Sequence, residues 1–257
     1  MSTDKKIVLV TGSNSGIGFE TIASLAQVSD EYHIIICARS IEKGDEALRK
    51  IRSSYGATIK STISILQLDV TDRESILAVS DELKKLYGKL DVLVNNAGIL
   101  IIEPMDRLEL LRKTFETNVF GPWYLTEVLE PLLKASAAPL IINVTSGQGS
   151  VTRKLDPSNP WAALPGEHYR ASKSAMNMMA ACQRYSYKEW GCRVCAFDPG
   201  FCVTNLTGEE NRQFRVERGA RPATDAANAM VEIILGKRND DFEKNGMLDI
   251  DGGVLPW

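Results

Sequence analysis

The chain has 257 residues, of which 44% are hydrophobic and 25% charged, and its formal net charge is -3. That is the balance of an ordinary globular protein, long enough to bury a substantial core. No long run of one charge sign occurs, which argues against an obligatory nucleic-acid or membrane-surface partner, and no apolar stretch approaches the about 18 residues of a membrane-spanning helix.

The start, Met1-Ser2-Thr3-Asp4-Lys5-Lys6, leads into an apolar run too short for a signal peptide, so a cytoplasmic enzyme is the default reading. Lys6–Val10 is a β-rich run that stops at Thr11-Gly12-Ser13-Asn14-Ser15-Gly16-Ile17-Gly18. Gly16–Val28 follows, with Ile17, Ile22, Leu25 and Ala26 at helical spacing. Gly12, Gly16 and Gly18 therefore fall between a strand and a helix. There they let backbone approach a pyrophosphate, and the helix N-terminus offers it free N–H groups. The spacing is neither G-x-G-x-x-G nor a P-loop, so placement rather than pattern points to a dinucleotide, with a structural turn as the plainer alternative.

His33–Ala38 is a second apolar run and ends at Arg39-Ser40. A fold that prefers NAD places an acid here for the ribose 2′-hydroxyl. Arginine instead suits the 2′-phosphate of NADP through its planar fork of donors. The alternative is a surface arginine paired with Glu42 or Asp45.

Ile41–Tyr55 reads as a charged helix, Thr62–Leu68 as a third strand, Asp72–Tyr87 as an amphipathic helix and Asp91–Val94 as a fourth strand. Leu108–Leu133 reads as one long helix bent at Pro122. Leu140–Val144 is the fifth strand, Tyr169–Trp190 a helix, Arg193–Phe197 the sixth strand, Ala223–Leu235 a late helix and Met247–Ile250 the seventh strand. Near-continuously apolar strands alternating with helices predict a single α/β domain over residues 1–257. Its doubly wound, mostly parallel seven-stranded sheet carries helices on both faces and binds ligands at the strands' carboxyl ends.

Within that alternation, Tyr169 and Lys173 lie four apart and share a helix face. An ammonium beside a phenol favours the phenolate, which predicts a phenol pKa below its ordinary value of about 10. Cys192 and Cys195 form a C-x-x-C in a strand-like run, where positions three apart point to opposite faces. With five scattered cysteines and only His33 and His168 besides, neither a metal site nor a disulfide framework is expected.

Two stretches break the alternation. Gly147–His168 holds Pro157, Pro160 and Pro165 and reads as a long loop; Cys202–Pro222 is long and charged. In the second, Arg212, Arg215, Arg218 and Arg221 would line up as one basic stripe on a helix. The stripe reads as a solvated face paired with Glu209, Glu210 and Glu217 in preference to an attractor for an acidic substrate.

Taken together, these residues closely resemble the short-chain dehydrogenase/reductase family over nearly the whole chain, and in particular its carbonyl-reductase-like, NADP(H)-dependent members. Thr11–Gly18 matches the family's cofactor turn. Asp69, followed by Val70, matches its adenine-contacting acid, and Asn95-Asn96-Ala97-Gly98 its N-N-A-G turn. Asn118, Ser146, Tyr169 and Lys173 match its catalytic residues. Pro199-Gly200 with Thr204 matches the segment that cups the nicotinamide. The resemblance implies a Rossmann fold and a hydride transfer between nicotinamide and a substrate carbonyl. In that scheme Tyr169 is the general acid, Ser146 polarises the carbonyl, Lys173 binds the ribose and lowers the Tyr169 pKa, and Asn118 holds a water of the proton path. It also makes Cys202–Pro222 a substrate lid.

The chain departs from the family in the Ser146–Tyr169 spacing, which is roughly twice the about a dozen common there. Monomeric carbonyl reductases of the family carry insertions at this place, which leaves monomer and homo-oligomer both open. Trp161, Phe201 and Phe214 point to an apolar or aromatic ketone or aldehyde as the small-molecule substrate. Oxidation of a secondary alcohol uses the same groups. A non-catalytic NADP sensor would be expected to lose the tyrosine or lysine.

Overall fold

Successive side chains on a strand face opposite ways, so a strand apolar throughout needs cover on both sides. The computed structural model, which describes residues 5–257, supplies it. Met1–Asp4, part of the start weighed above against a signal peptide, lie outside the described residues. The strands are β1 (Lys6–Val10), β2 (Tyr32–Ala38), β3 (Thr62–Gln67), β4 (Val92–Asn95), β5 (Leu140–Val144), β6 (Arg193–Asp198), β7 (Met247–Asp249) and β8 (Val254–Leu255). They form one sheet in the order β3-β2-β1-β4-β5-β6-β7-β8, parallel throughout except for β8 against β7.

Val8, Ile34, Val94, Ile142 and Cys195 pack on one face with α1 (Gly16–Ala26), α2 (Ile41–Tyr55) and α9 (Ala223–Ile234). Leu9, Ile35, Leu93, Ile141 and Val194 pack on the other with α3 (Arg73–Leu86) and α5 (Gly121–Lys134), and Cys192 joins them there. The two cysteines of the C-x-x-C thus lie on opposite sides of the sheet, their thiols pushed up to about 12 by burial. Each fully buried Ile or Leu contributes about 1.5–3 kcal/mol. Helix starts are set locally: Ser40 accepts from the Lys43 amide at 3.3 Å and Asp72 from the Glu74 amide at 2.9 Å, caps worth about 1 kcal/mol each. A chain of buried amides crosses the second face, with Asn95 Nδ2 donating to Asn143 Oδ1 (2.9 Å) and Asn143 Nδ2 to Gln183 Oε1 (3.1 Å).

Three details differ from the expectations. The sheet has an eighth strand, too short to leave a periodic pattern in sequence. The long helix is interrupted before Pro122, not at it: α4 (Arg107–Phe115) passes through a π turn at Glu116–Phe120 into α5. Pro122 sits in the first turn of α5, where its missing N–H is tolerated. The expected loop Gly147–His168 is partly helical, with α6 at Val151–Leu155, and α7 (Glu167–Tyr187) starts two residues before Tyr169.

Candidate active site

Strand order reverses between β1 and β4, and in an open parallel sheet that reversal leaves a crevice at the carboxyl ends. A cavity of about 430 Å³ lies there. Thr11 closes its floor: its hydroxyl donates to the Val94 carbonyl (3.3 Å) and accepts from the Asn96 and Ala97 amides (3.0 and 2.9 Å). The Asn96 side chain returns a bond to the Thr11 carbonyl at 2.8 Å. Gly12 and Gly16 adopt φ of 60° and 59°, and a Cβ on Gly12 would lie 2.9 Å from the Ala97 Cα. The turn can close against the β4 turn only with glycine there.

Most of the predicted nucleotide residues line this cavity: Gly12, Asn14, Ser15, Gly16, Ile17, Arg39, Asp69, Val70, Asn96, Ala97, Gly98, Pro199 and Thr204. Ser13 and Gly18 do not; Ser13 is buried under the turn and bonds the Val10 carbonyl and the Cys37 amide, and Gly18 packs against it. Ser40 caps α2 and Gly200 lies outside the lining. Lys43, Thr71, Thr145, Asn205 and Leu206 line the cavity without having been predicted. Lys43 follows Arg39 by one helical turn, a signal that was present in the sequence.

Tyr169 and Lys173, both on α7, also line the cavity. The Lys173 Nζ donates to the Val144 carbonyl at 2.9 Å and stands 5.7 Å from the centre of the Tyr169 ring. Asn118, in the π turn, clamps the Ile99 backbone from both sides (2.9 and 3.0 Å) and donates to Ser172 at 3.0 Å. A point one bond out from Gly98 lies 3.4 Å from Asn118 Oδ1 and 3.6 Å from Lys173 Nζ, so the two converge. Ser146 follows β5, its hydroxyl accepting from the Gln148 amide at 3.1 Å. Thr145 beside it donates to Asn177 and holds β5 to α7.

The electrostatics correct one expectation. The Tyr169 pKa lies above its ordinary value, not below it. Burial pushes the phenol up to about 12, the Asp198 carboxylate adds to this, and the Ser146 hydroxyl and the Arg215 charge pull the other way. Burial wins because both groups are almost wholly enclosed and the ammonium is turned towards a carbonyl. Lys173 itself is lowered to about 8 by the same burial, against the field of Asp198. Asp198, at the end of β6, is buried too and its carboxyl is raised, while the Gly147 and Gly200 amides and Arg153 oppose that.

The arginine stripe is also corrected. Helix α8 (Arg212–Glu217) is too short to carry it: Arg215 turns inward, Arg218 lies over Phe214, and Arg221 pairs with Asp225 and Asp251. Phe214 is exposed, whereas Phe201 and Trp161 meet with ring centres 5.7 Å apart. Arg170, next to Tyr169, pins the segment before it through the Gln148, Trp161 and Leu164 carbonyls.

Residues 6–215 match the short chain dehydrogenase family. The chain belongs to that family. This short-chain dehydrogenase is 38% identical over 244 residues to the short-chain dehydrogenase anuI of Penicillium roqueforti, covering 92% of this chain and 94% of that one. It is 33% identical over 270 residues to the short-chain dehydrogenase/reductase tropE of Talaromyces stipitatus, covering 99% of each. Among solved structures it resembles the NADPH-bound carbonyl reductase from chicken fatty liver, with a TM-score of 0.79, 26% identity and full coverage of both chains. The dehydrogenase is therefore an oxidoreductase. No helix among its described residues is long and apolar enough to cross a membrane.

Proposed function

We propose that the enzyme reduces a ketone or aldehyde to an alcohol with NADPH. One observation carries the reading: Tyr169 and Lys173 line the same cavity as Arg39 and Lys43. Among the described residues neither cation makes an ion pair, so both are available to a 2′-phosphate. The turn fits a dinucleotide, because no side chain caps the first turn of α1 and its amides stay unclaimed. The relative solved with NADPH supports the same choice.

Bound NADPH would supply the hydride. Arg39 and Lys43 would hold its 2′-phosphate, and Asp69 would contact its adenine. Ser146 would hydrogen-bond the substrate carbonyl oxygen and stabilise charge as it develops. Tyr169, with a pKa near 12, is a neutral phenol at neutral pH and so is set to donate rather than accept. A phenolate left behind is the stronger base of the pair, and the Lys173 side, at about 8, returns the proton, with Asn118 fixing the route.

The test is loss of NADPH absorbance with a panel of ketones and aldehydes, run in parallel with NADH. Turnover with NADPH well above NADH is expected. No turnover on any carbonyl would sink the reading, and equal use of both cofactors would sink the NADP assignment.

A further inference from the structure

Of the four arginines around α8, only Arg215 is buried, at 9% exposure, and no acid pairs with it among the described residues. Its Nε donates to the Cys202 carbonyl at 2.9 Å. Its guanidinium carbon lies 4.8 Å from the centre of the Phe201 ring, which in turn meets Trp161. Among the described residues, no hydrogen bond uses its two terminal nitrogens and no carboxylate lies within ion-pair distance. The nearby carboxylate of Asp198 faces Arg153 and the Gly147 and Gly200 amides. Burial lowers the guanidinium pKa, yet its terminal nitrogens still reach solvent, which leaves them open to an anion. Arg215 is close enough to Tyr169 for its charge to act on the phenol. Arg170, next to Tyr169, bonds the Trp161 carbonyl, so the aromatic pair, the guanidinium stacked on it and the phenol are neighbours.

We propose that Arg215 selects the substrate: an aromatic carbonyl compound bearing an ionised oxygen, such as a carboxylate, which the two free guanidinium nitrogens grip while the ring lies against Phe201 and Trp161. This rests on the carbonyl-reductase reading above. Arginine suits the role because its fork matches a carboxylate edge with two parallel hydrogen bonds. Arg212, Arg218 and Arg221 are unsuited to it, being exposed, stacked outside on Phe214, or already paired.

The probes are 3- and 4-carboxybenzaldehyde with their methyl esters, and benzoate as an unreactive acid. Wild type should show kcat/KM for at least one acid about tenfold or more above its ester, the worth of one charged pair of hydrogen bonds. Arg215→Gln should bring that ratio to about one and remove inhibition by benzoate, while Arg215→Lys keeps part of both. A wild-type ratio near one for both isomers overturns the proposal without needing a variant. So does an Arg215→Gln protein in which acid and ester fall together with the ratio intact, since that marks a packing role. Should no carbonyl compound be reduced, the reductase reading fails. Calorimetry of benzoate with NADPH present then decides Arg215 alone: binding by wild type and not by Arg215→Gln upholds the anion site, and equal binding or none by both overturns it.

Discussion

Replacing Lys173 with methionine should make the protein more stable at neutral pH. Lys173 is 3% exposed and its pKa falls from the ordinary 10.5 to about 8. For a base depressed by folding, the stabilising contribution is complete above 10.5 and is lost as pH falls towards 8. At about 1.4 kcal/mol per pH unit, holding the ammonium in place at pH 7 costs about 3 kcal/mol. Methionine removes that cost but forfeits the bond to the Val144 carbonyl, a loss of about 1–2 kcal/mol. The variant should therefore be about 1–2 kcal/mol more stable than wild type near pH 7 and no more stable near pH 10. Urea denaturation of both proteins across that range measures it, and taking the difference at each pH cancels the other titrating groups. A difference that does not change with pH, or a variant weaker at pH 7, would show that Lys173 titrates normally and would remove the basis for its proton-returning role. Activity should be lost in any case.

Tyr169→Phe should abolish turnover while NADPH still raises the melting temperature, which separates proton donation from cofactor binding. Arg39→Ala should raise KM for NADPH by about tenfold or more and leave KM for NADH nearly unchanged, as initial rates with each cofactor would show. Gly149→Ala should destabilise the fold by about 1–3 kcal/mol and lower kcat, because its Cβ would lie 2.7 Å from the Lys173 carbonyl carbon, and backbone there cannot give way locally. A Gly149→Ala protein with wild-type stability would mean that the 3₁₀ turn shifts freely against α7.

The sheet was legible from residue pattern, and much of the cavity lining from pattern together with the family resemblance. Runs such as Ile34–Ile36 are apolar on both faces and could only be buried strands, and Gly12 and Gly16 fall where a strand must turn into a helix. What escaped detection depends on three-dimensional neighbours. The direction of the Tyr169 pKa is set by enclosure and by Asp198, which lies 29 positions further along the chain. Spacing put four arginines on one stripe, but α8 ends after six residues, so burial singles out Arg215. The π turn at Asn118 adds a residue without changing composition. Pro122, four residues on, carries no amide to direct at the Asn118 carbonyl, a hint that reads equally well as a kink.

The buried amides on the second face bear on how the chain avoids misfolding. Sliding β5 by two residues along β4 would keep every apolar side chain on its proper face, so hydrophobic pattern alone does not forbid it. Asn95 sits directly beside Asn143, and Gln183 on α7 reaches the same asparagine. A slipped pairing would strand these amides in an apolar layer at about 1–3 kcal/mol for each lost partner. The three side chains thus act as a proofreading mark, rejecting a parallel pairing that grease would accept and seating α7, with Tyr169 and Lys173 on it, at one height above the sheet.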